Sequence, residues 1–268
     1  MRLLTILLLC LALGNVAASA DEGGARRPPG AEEVVSPPLD VDWDYQLGGA
    51  RKPAKRVGIV SRDRTAAPSP GRYNICYVNA FQTQASEKRF WRSKPGRWAL
   101  VLRKDGRPVT DAGWGEWLLD TRTAARRQRL ARIVGRWLAG CATDGFDAVE
   151  LDNLDSWSRS KGLVTRGDNR RFARLLVARA HRHGLAVAQK NWVELGEAGP
   201  RIGFDFAVVE QCGKYHECGA YARVYGDRVL AVEYSRASFR WTCDRLGDRI
   251  AVVRRDLDLT RRGVRAWC

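Results

Sequence analysis

From residue 56 onward, eight short runs of apolar, β-prone residues recur along the chain, and no other feature restricts its fold as strongly. The runs are Arg56–Val60, Asn74–Val78, Trp117–Leu119, Ala148–Leu151, Leu185–Ala188, Phe206–Val209, Val229–Val232 and Ile250–Val253. Most are apolar at consecutive positions, as expected of strands covered on both faces. Stretches of helical period separate several of them. Thr123–Ala139 gathers Ala125, Leu130, Ile133, Val134, Trp137 and Leu138 on one face, with arginines opposite. Asn169–His183 does the same with Phe172, Leu175, Leu176 and Ala180, and Gly184 follows in the place of a helix C-cap. Eight βα units in about 210 residues predict an α/β fold, a single-domain (β/α)8 TIM barrel. The competing topology is an open doubly wound sheet, but no Gly-rich fingerprint follows the first run.

The N-terminal flank reads differently. Arg2 precedes the apolar stretch Leu3–Leu13, and small residues lead to Ala18-Ser19-Ala20, the pattern of a removable signal peptide over residues 1–20. The apolar run is too short to span a bilayer. Residues 21–40 are rich in Gly, Pro, Glu and Arg, with Pro28-Pro29 and Pro37-Pro38, and read as a flexible linker. The barrel domain is then 41–268, in a protein expected to be secreted and to make no membrane contact after cleavage. Cys10 falls in the signal, leaving Cys76, Cys141, Cys212, Cys218, Cys243 and Cys268. An even number in an exported chain predicts disulfides. Cys212–Cys218 closes a short loop, Cys243–Cys268 ties down the C-terminus, and Cys76–Cys141 is left by subtraction. No C-x-x-C or H-x-x-x-H spacing suggests zinc, and no cofactor motif is present, so neither metal nor cofactor is expected.

A formal charge of +16, from 46 Lys+Arg against 30 Asp+Glu, raises the question of a polyanionic partner. The basic residues are spread along the chain, and only eight are lysine. No specific nucleic-acid partner is expected.

A barrel carries its chemistry at the C-terminal ends of its strands. The eight runs lead into Asp63, Asn79, Asp120, then Glu150-Leu151-Asp152-Asn153 with Asp155 beyond, Gln189-Lys190-Asn191, Glu210-Gln211, Glu233-Tyr234, and Arg254-Arg255-Asp256. Individual acids there can serve only as helix caps, as Asp120 and Asp155 could. A whole ring of them repels itself and calls for a function. Spacing of two puts the Glu150 and Asp152 side chains on the same side of one strand, Asp152 nearer the rim. Glu210, two strands away, can face Asp152 across the mouth. Two carboxylates flanking a cleft are what glycoside hydrolysis requires, one protonating the leaving oxygen, the other acting as nucleophile or activating water. The like-charged surroundings are expected to raise one pKa, as suits an acid. Substrate contacts are expected from Asp120, Glu150, Lys190, Asn191, Glu233, Tyr234, Asp63, Tyr45 and Gln46. Aromatic residues near the rim, Trp43, Trp114, Trp117, Trp157, Trp192 and Tyr215 among them, offer faces for sugar rings. No G-x-S-x-G sequence offers a serine nucleophile.

Several of these segments carry a family resemblance. Asp42-Trp43-Asp44-Tyr45-Gln46-Leu47 resembles the W-x-Y-Q-L opening of glycoside hydrolase family 114. The likeness continues through Ile75-Cys76-Tyr77-Val78 and Glu116-Trp117-Leu118-Leu119-Asp120. It is densest at Gly145-Phe146-Asp147-Ala148-Val149-Glu150-Leu151-Asp152-Asn153, and Gln189-Lys190-Asn191 and Val209-Glu210-Gln211-Cys212 complete it. The chain departs from the family at Val78-Asn79-Ala80-Phe81, where a small-residue S-A-G turn is expected. The resemblance implies a (β/α)8 barrel that cleaves α-1,4-linked polygalactosamine internally, with the acidic pair on Asp152 and Glu210. By analogy with barrel α-galactosidases, Asp152 is the nucleophile and Glu210 the acid/base, which makes the reaction retaining. The implied partner is a cationic amino-sugar polysaccharide; the chain itself is expected to be a monomer. A non-catalytic carbohydrate-binding protein on the same barrel is the alternative.

Overall fold

The computed structural model describes residues 34–268. The expected signal peptide and residues 21–33 of the expected linker lie outside the described residues. Residues 34–40 lie against the domain: Val34 packs on the barrel interior cluster, and the Tyr73 hydroxyl donates to the Val35 carbonyl at 2.7 Å.

Eight parallel strands run in chain order. They are β1 (Asp42–Tyr45), β2 (Val57–Asp63), β3 (Tyr73–Asn79), β4 (Ala148–Asp152), β5 (Ala186–Lys190), β6 (Phe206–Glu210), β7 (Val229–Glu233) and β8 (Ala251–Arg255). A ninth strand, β9 (Arg265–Trp267), pairs antiparallel with β8. β1 and β8 come alongside each other, and the Trp267 indole donates to the Trp43 carbonyl at 2.7 Å, so the sheet curls into a nearly closed barrel with β9 at its seam.

The expected strands agree with these except in two places. Trp117–Leu119 is not a barrel strand. Glu116–Trp117 pairs antiparallel with Thr110–Asp111, while Leu118 and Leu119 bridge to Gln82 and Val101 in an excursion between β3 and the first long helix. Leu118 is buried there in a small cluster with Leu102, Val109 and Val164, and Trp117 and Leu119 join the main core, which is why the run looks like a core strand. The true first strand is Asp42–Tyr45. Its alternation hides it, because Asp44 faces outward yet is buried, held by Gln46 and Arg51. One strand lost and one gained leave Asp152 and Glu210 at the ends of the fourth and sixth strands.

The principal helices are α1 (Ala124–Asp144), α2 (Arg166–His181), α3 (Cys218–Tyr225) and α4 (Arg236–Leu246). Thr123 caps α1, which stops at Gly145 in the left-handed conformation (φ 91°) that glycine adopts without strain. α2 starts three residues earlier than its apolar period suggests, because Thr165 and Asp168 form a capping box. No helix separates β1 from β2 or β2 from β3, so loops 46–56 and 64–72 cover that arc.

Side chains of alternate strand positions fill the barrel. Trp43, Ile59, Ile75, Phe206, Val208, Val232 and Val253 interlock there with the small Ala148, Ala186 and Ala188. A second core lies between strands and helices, centred on Leu130, Val134, Phe172 and Leu176. The three disulfides pair as expected: Cys76–Cys141 joins β3 to α1, Cys212–Cys218 closes the loop after β6, and Cys243–Cys268 joins α4 to the C-terminus.

Candidate active site

The same alternation that fills the barrel puts polar side chains at its C-terminal mouth. Glu150 and Asp152 share the inward face with Ala148, and Lys190 shares it with Ala186 and Ala188. Lys190 lies at the centre, 2% exposed. Its Nζ is 2.8 Å from Glu150 Oε1, 3.2 Å from Asp152 Oδ1 and 3.6 Å from Glu210 Oε2. The rings of Tyr45 and Tyr77 flank it.

Each carboxylate has its own partners. The Tyr45 hydroxyl donates to Glu150 at 2.7 Å, and the Tyr77 hydroxyl to Asp152 at 2.6 Å. The Tyr234 hydroxyl donates to Glu210 Oε1, and Asn191 Oδ1 accepts from the Glu210 backbone N–H at 2.8 Å. Burial opposes ionisation of Asp152, but the Lys190 ammonium, the Tyr77 hydroxyl and the Asn153 N–H outweigh it and hold its pKa low. Burial raises Glu150, with Lys190 working against it. Burial also disfavours the charged Lys190, yet the three facing carboxylates raise its pKa well above the ordinary value, so it stays an ammonium. Burial and the neighbouring carboxylates keep Tyr45 and Tyr77 protonated, as donors. Glu150 and Glu116 are raised at the mouth, each chiefly by burial with a smaller contribution from the Asp152 charge.

The residues directly after β4, β5 and β6 are Asn153, Asn191 and Gln211, with φ of 66°, 48° and 59°. Three non-glycine left-handed residues at three successive strand ends are local strain concentrated at the mouth, a pattern associated with functional sites.

A cavity of about 540 Å³ opens above this centre. Tyr45, Asp63, Lys190, Asn191, Asp152 and Glu210 line it. Glu150 forms the floor beneath Lys190, and Tyr234 reaches the site through Glu210. Three expected contacts lie elsewhere. Asp120 is buried against Arg122 and Arg126, at 2.8 and 3.1 Å, in the turn before α1. Gln46 is buried on the outer side of the barrel between Asp44 and Arg62. Glu233 accepts from the Gly213 N–H at 2.6 Å and braces the loop after β6. Of the rim aromatics, Trp43, Trp117 and Trp192 are core, whereas Trp114, 63% exposed, stands at the cleft edge.

The excursion between β3 and α1 supplies residues not expected from strand ends: Gln84, Asp111 and Glu116. Glu116 Oε2 accepts from Asn79 at 2.9 Å and from Asn153 at 3.5 Å. Burial, eased by the Asn79 bond, pushes its pKa up to about 7. Asn79, the departure from the expected small turn, is thus the residue that fixes Glu116. Arg159 pairs with Asp155 and Asp111, both at 2.9 Å. The cleft carries seven carboxylates, Asp63, Asp111, Glu116, Asp152, Asp155, Glu210 and Asp258, against the two cations Lys190 and Arg159. It is a locally acidic groove in a basic protein.

The sequence pattern of glycoside-hydrolase family GH114 matches residues 24–268. No curated protein matches the chain in sequence. Among solved structures, Ega3 of Aspergillus fumigatus in complex with galactosamine superposes with a TM-score of 0.70 at 22% identity, over 88% of this chain and 98% of that one. The glycoside hydrolase domain of PelA from Pseudomonas aeruginosa superposes with a TM-score of 0.58 at 18% identity, over 84% of this chain and 97% of that one. These likenesses show the barrel fold.

Proposed function

The chain belongs to glycoside-hydrolase family GH114 and is a glycosidase; from that premise we propose that it cleaves α-1,4-linked galactosamine-type polysaccharide internally, as a secreted monomer. The observation that carries this reading is the bracketing of one buried ammonium by Asp152 and Glu210 at the foot of an acidic groove. A polymer bearing free amines is cationic, and the groove's excess of carboxylates attracts it despite the opposite overall charge, since exposed charges beyond a Debye length of about 8 Å are screened. The galactosamine bound to Ega3 supports the choice of sugar.

In this mechanism Asp152, held ionised by Lys190 and Tyr77, attacks the anomeric carbon. Glu210 gives its proton to the departing glycosidic oxygen, and a glycosyl ester forms on Asp152. Glu210 then takes a proton from water, whose oxygen displaces Asp152 and restores the starting state. The sum of the two Lys190 contacts, about 6.8 Å, caps the distance between Asp152 Oδ1 and Glu210 Oε2. That cap supports retention, for which about 5–5.5 Å is typical, over most of the inverting range of about 6.5–9.5 Å. Glu150 and Lys190 set the charge of the nucleophile. Asp63, Tyr45, Asn191 and Tyr234 border the sugar bound there, and Trp114 offers a face to a more distant ring. Asp120, Gln46 and Glu233 act only by holding neighbouring loops.

The test is release of reducing ends from de-N-acetylated α-1,4-galactosamine polymer, beside its N-acetylated form and chitosan. Short oligomers are expected from the first alone. No release from it, or equal release from chitosan, rejects the substrate.

A further inference from the structure

On the outer side of β1 and β2, which are followed by loops and not by helices, lies a second cavity of about 450 Å³. It is built by the loops 46–56 and 64–72, on the far side of the segment that gives Leu47 and Gly48 to the cleft. Its polar lining is Arg51, Lys52, Arg62, Ser69 and Arg72, and no carboxylate lines it among the described residues.

Arg62 is the most deeply buried cation of this pocket. Ser61 and Asp63 face the barrel interior and the cleft, so alternation turns Arg62 outward. It is only 6% exposed. Its three hydrogen bonds go to neutral oxygens: Gln46 Oε1 at 3.0 Å, and the carbonyls of Ala67 and Arg51, both at 2.7 Å. Buried guanidinium groups are ordinarily paired with a carboxylate. The nearby acid is Asp44, and it is already committed, 2.5 Å from Arg51 and 3.8 Å from Arg255. Arg255 has Asp256 as a second partner at 3.7 Å, whereas Arg62 has no carboxylate in contact. Arg72 adds a buried Nε with no partner among the described residues, and the exposed Lys52 adds a further cation. Burial lowers Arg62 and, with smaller contributions from Arg265 and Arg255, brings Arg51 to about 10, both against the pull of Asp44.

We propose that this pocket binds a phosphate-class oxyanion, either free phosphate or a phosphate group carried on a larger molecule. Two N–H donors of Arg62 remain beyond its three bonds, and guanidinium forks match tetrahedral oxyanions in geometry as well as charge. Bound there, the anion supplies the counter-charge that Asp44 alone cannot, and it fastens loops 46–56 and 64–72 to each other. The site is separate from the catalytic carboxylates and independent of the polysaccharide assignment.

The test is calorimetric titration and thermal unfolding of the full chain with sodium phosphate, against sodium chloride at equal ionic strength. One saturable site is expected. Melting should rise by roughly 5–10 °C at a phosphate concentration a hundredfold above Kd. Lys52→Ala/Arg72→Ala removes two cations that hold no other element, so it should melt like the wild type in chloride and bind phosphate at least tenfold more weakly. Arg72→Met alone should show a smaller loss in the same direction. Glycerol 3-phosphate distinguishes the two sources: equal affinity indicates a carried phosphate group, and exclusion indicates the free ion. Phosphate that acts no differently from chloride, or that binds wild type and double variant alike, overturns the proposal and leaves Arg62 a structural clasp.

Discussion

Replacing Lys190 by Met tests whether one buried cation holds the mouth together. Methionine keeps the length and flexibility of the stem, so packing changes little and the charge is what is removed. Three carboxylate oxygens lie 2.8, 3.2 and 3.6 Å from Nζ. At an effective dielectric near 20, a contact of this length is worth about 5 kcal/mol gross. Desolvation consumes much of it, and breaking a buried pair from one side costs about 3–5 kcal/mol because the partner charges are left uncompensated. The loss must depend on pH. In the wild type Asp152 is held below its ordinary pKa. In the variant Asp152 and Glu150 have folded-state values above their unfolded ones. Their contribution is then complete below about pH 4 and is lost as pH rises through the raised values, by about 1.4 kcal/mol per unit for each extra proton retained. Urea unfolding at pH 4.5, 6 and 8 measures this. The deficit should be smallest at pH 4.5 and reach about 3–5 kcal/mol at pH 8. A deficit under about 1 kcal/mol, or one that does not vary with pH, would refute the claim that Lys190 neutralises this cluster.

Three further outcomes follow from the same structure. Glu116, raised from 4.5 to about 7, favours the fold below pH 4.5 and loses that contribution as pH climbs through 7. Glu116→Gln should therefore gain about 1–2 kcal/mol at pH 8, discounted for partial exposure, and nothing at pH 4, read by urea unfolding. Tyr77→Phe removes a 2.6 Å donor from Asp152, so the acid limb of the kcat/KM profile should move up by about one unit, with activity lost first at low pH. Cys243→Ser/Cys268→Ser opens a loop of sequence separation 25 and should cost about 3–4 kcal/mol, seen as a melting point lower by about 6–15 °C.

The parts of this molecule that were legible in sequence are those governed by local pattern. Strands buried on both faces announce themselves as apolar runs, and the spacing of two along β4 is enough to put Glu150 and Asp152 on one side. β1 escaped that logic because its outward residue is a buried carboxylate, Asp44, which accepts from Gln46 and Arg51 beyond the strand's own end. Trp117–Leu119 imitated a barrel strand because the excursion between β3 and α1 buries its apolar residues as a barrel strand would. The same excursion hid Glu116 and Asp111, whose arrival at the mouth depends on how it folds back, a long-range fact that periodicity does not carry. Asp120 and Glu233 look in sequence like the carboxylates of the cleft. What separates them is the partners they find: the nearby Arg122 and Arg126 claim the first in the turn before α1, and the Gly213 N–H, twenty residues away, claims the second.

The most direct measurement of the catalytic roles compares wild type, Asp152→Asn and Glu210→Gln on α-1,4-galactosamine polymer, following both binding and release of reducing ends. With Asp152 as nucleophile and Glu210 as acid/base, all three bind and only the wild type cleaves. Each variant is reduced at least about a thousandfold, roughly 4 kcal/mol of transition-state stabilisation. Cleavage by Glu210→Gln at the wild-type rate contradicts the assignment of the acid. Binding without cleavage by the wild type makes the barrel a carbohydrate-binding protein.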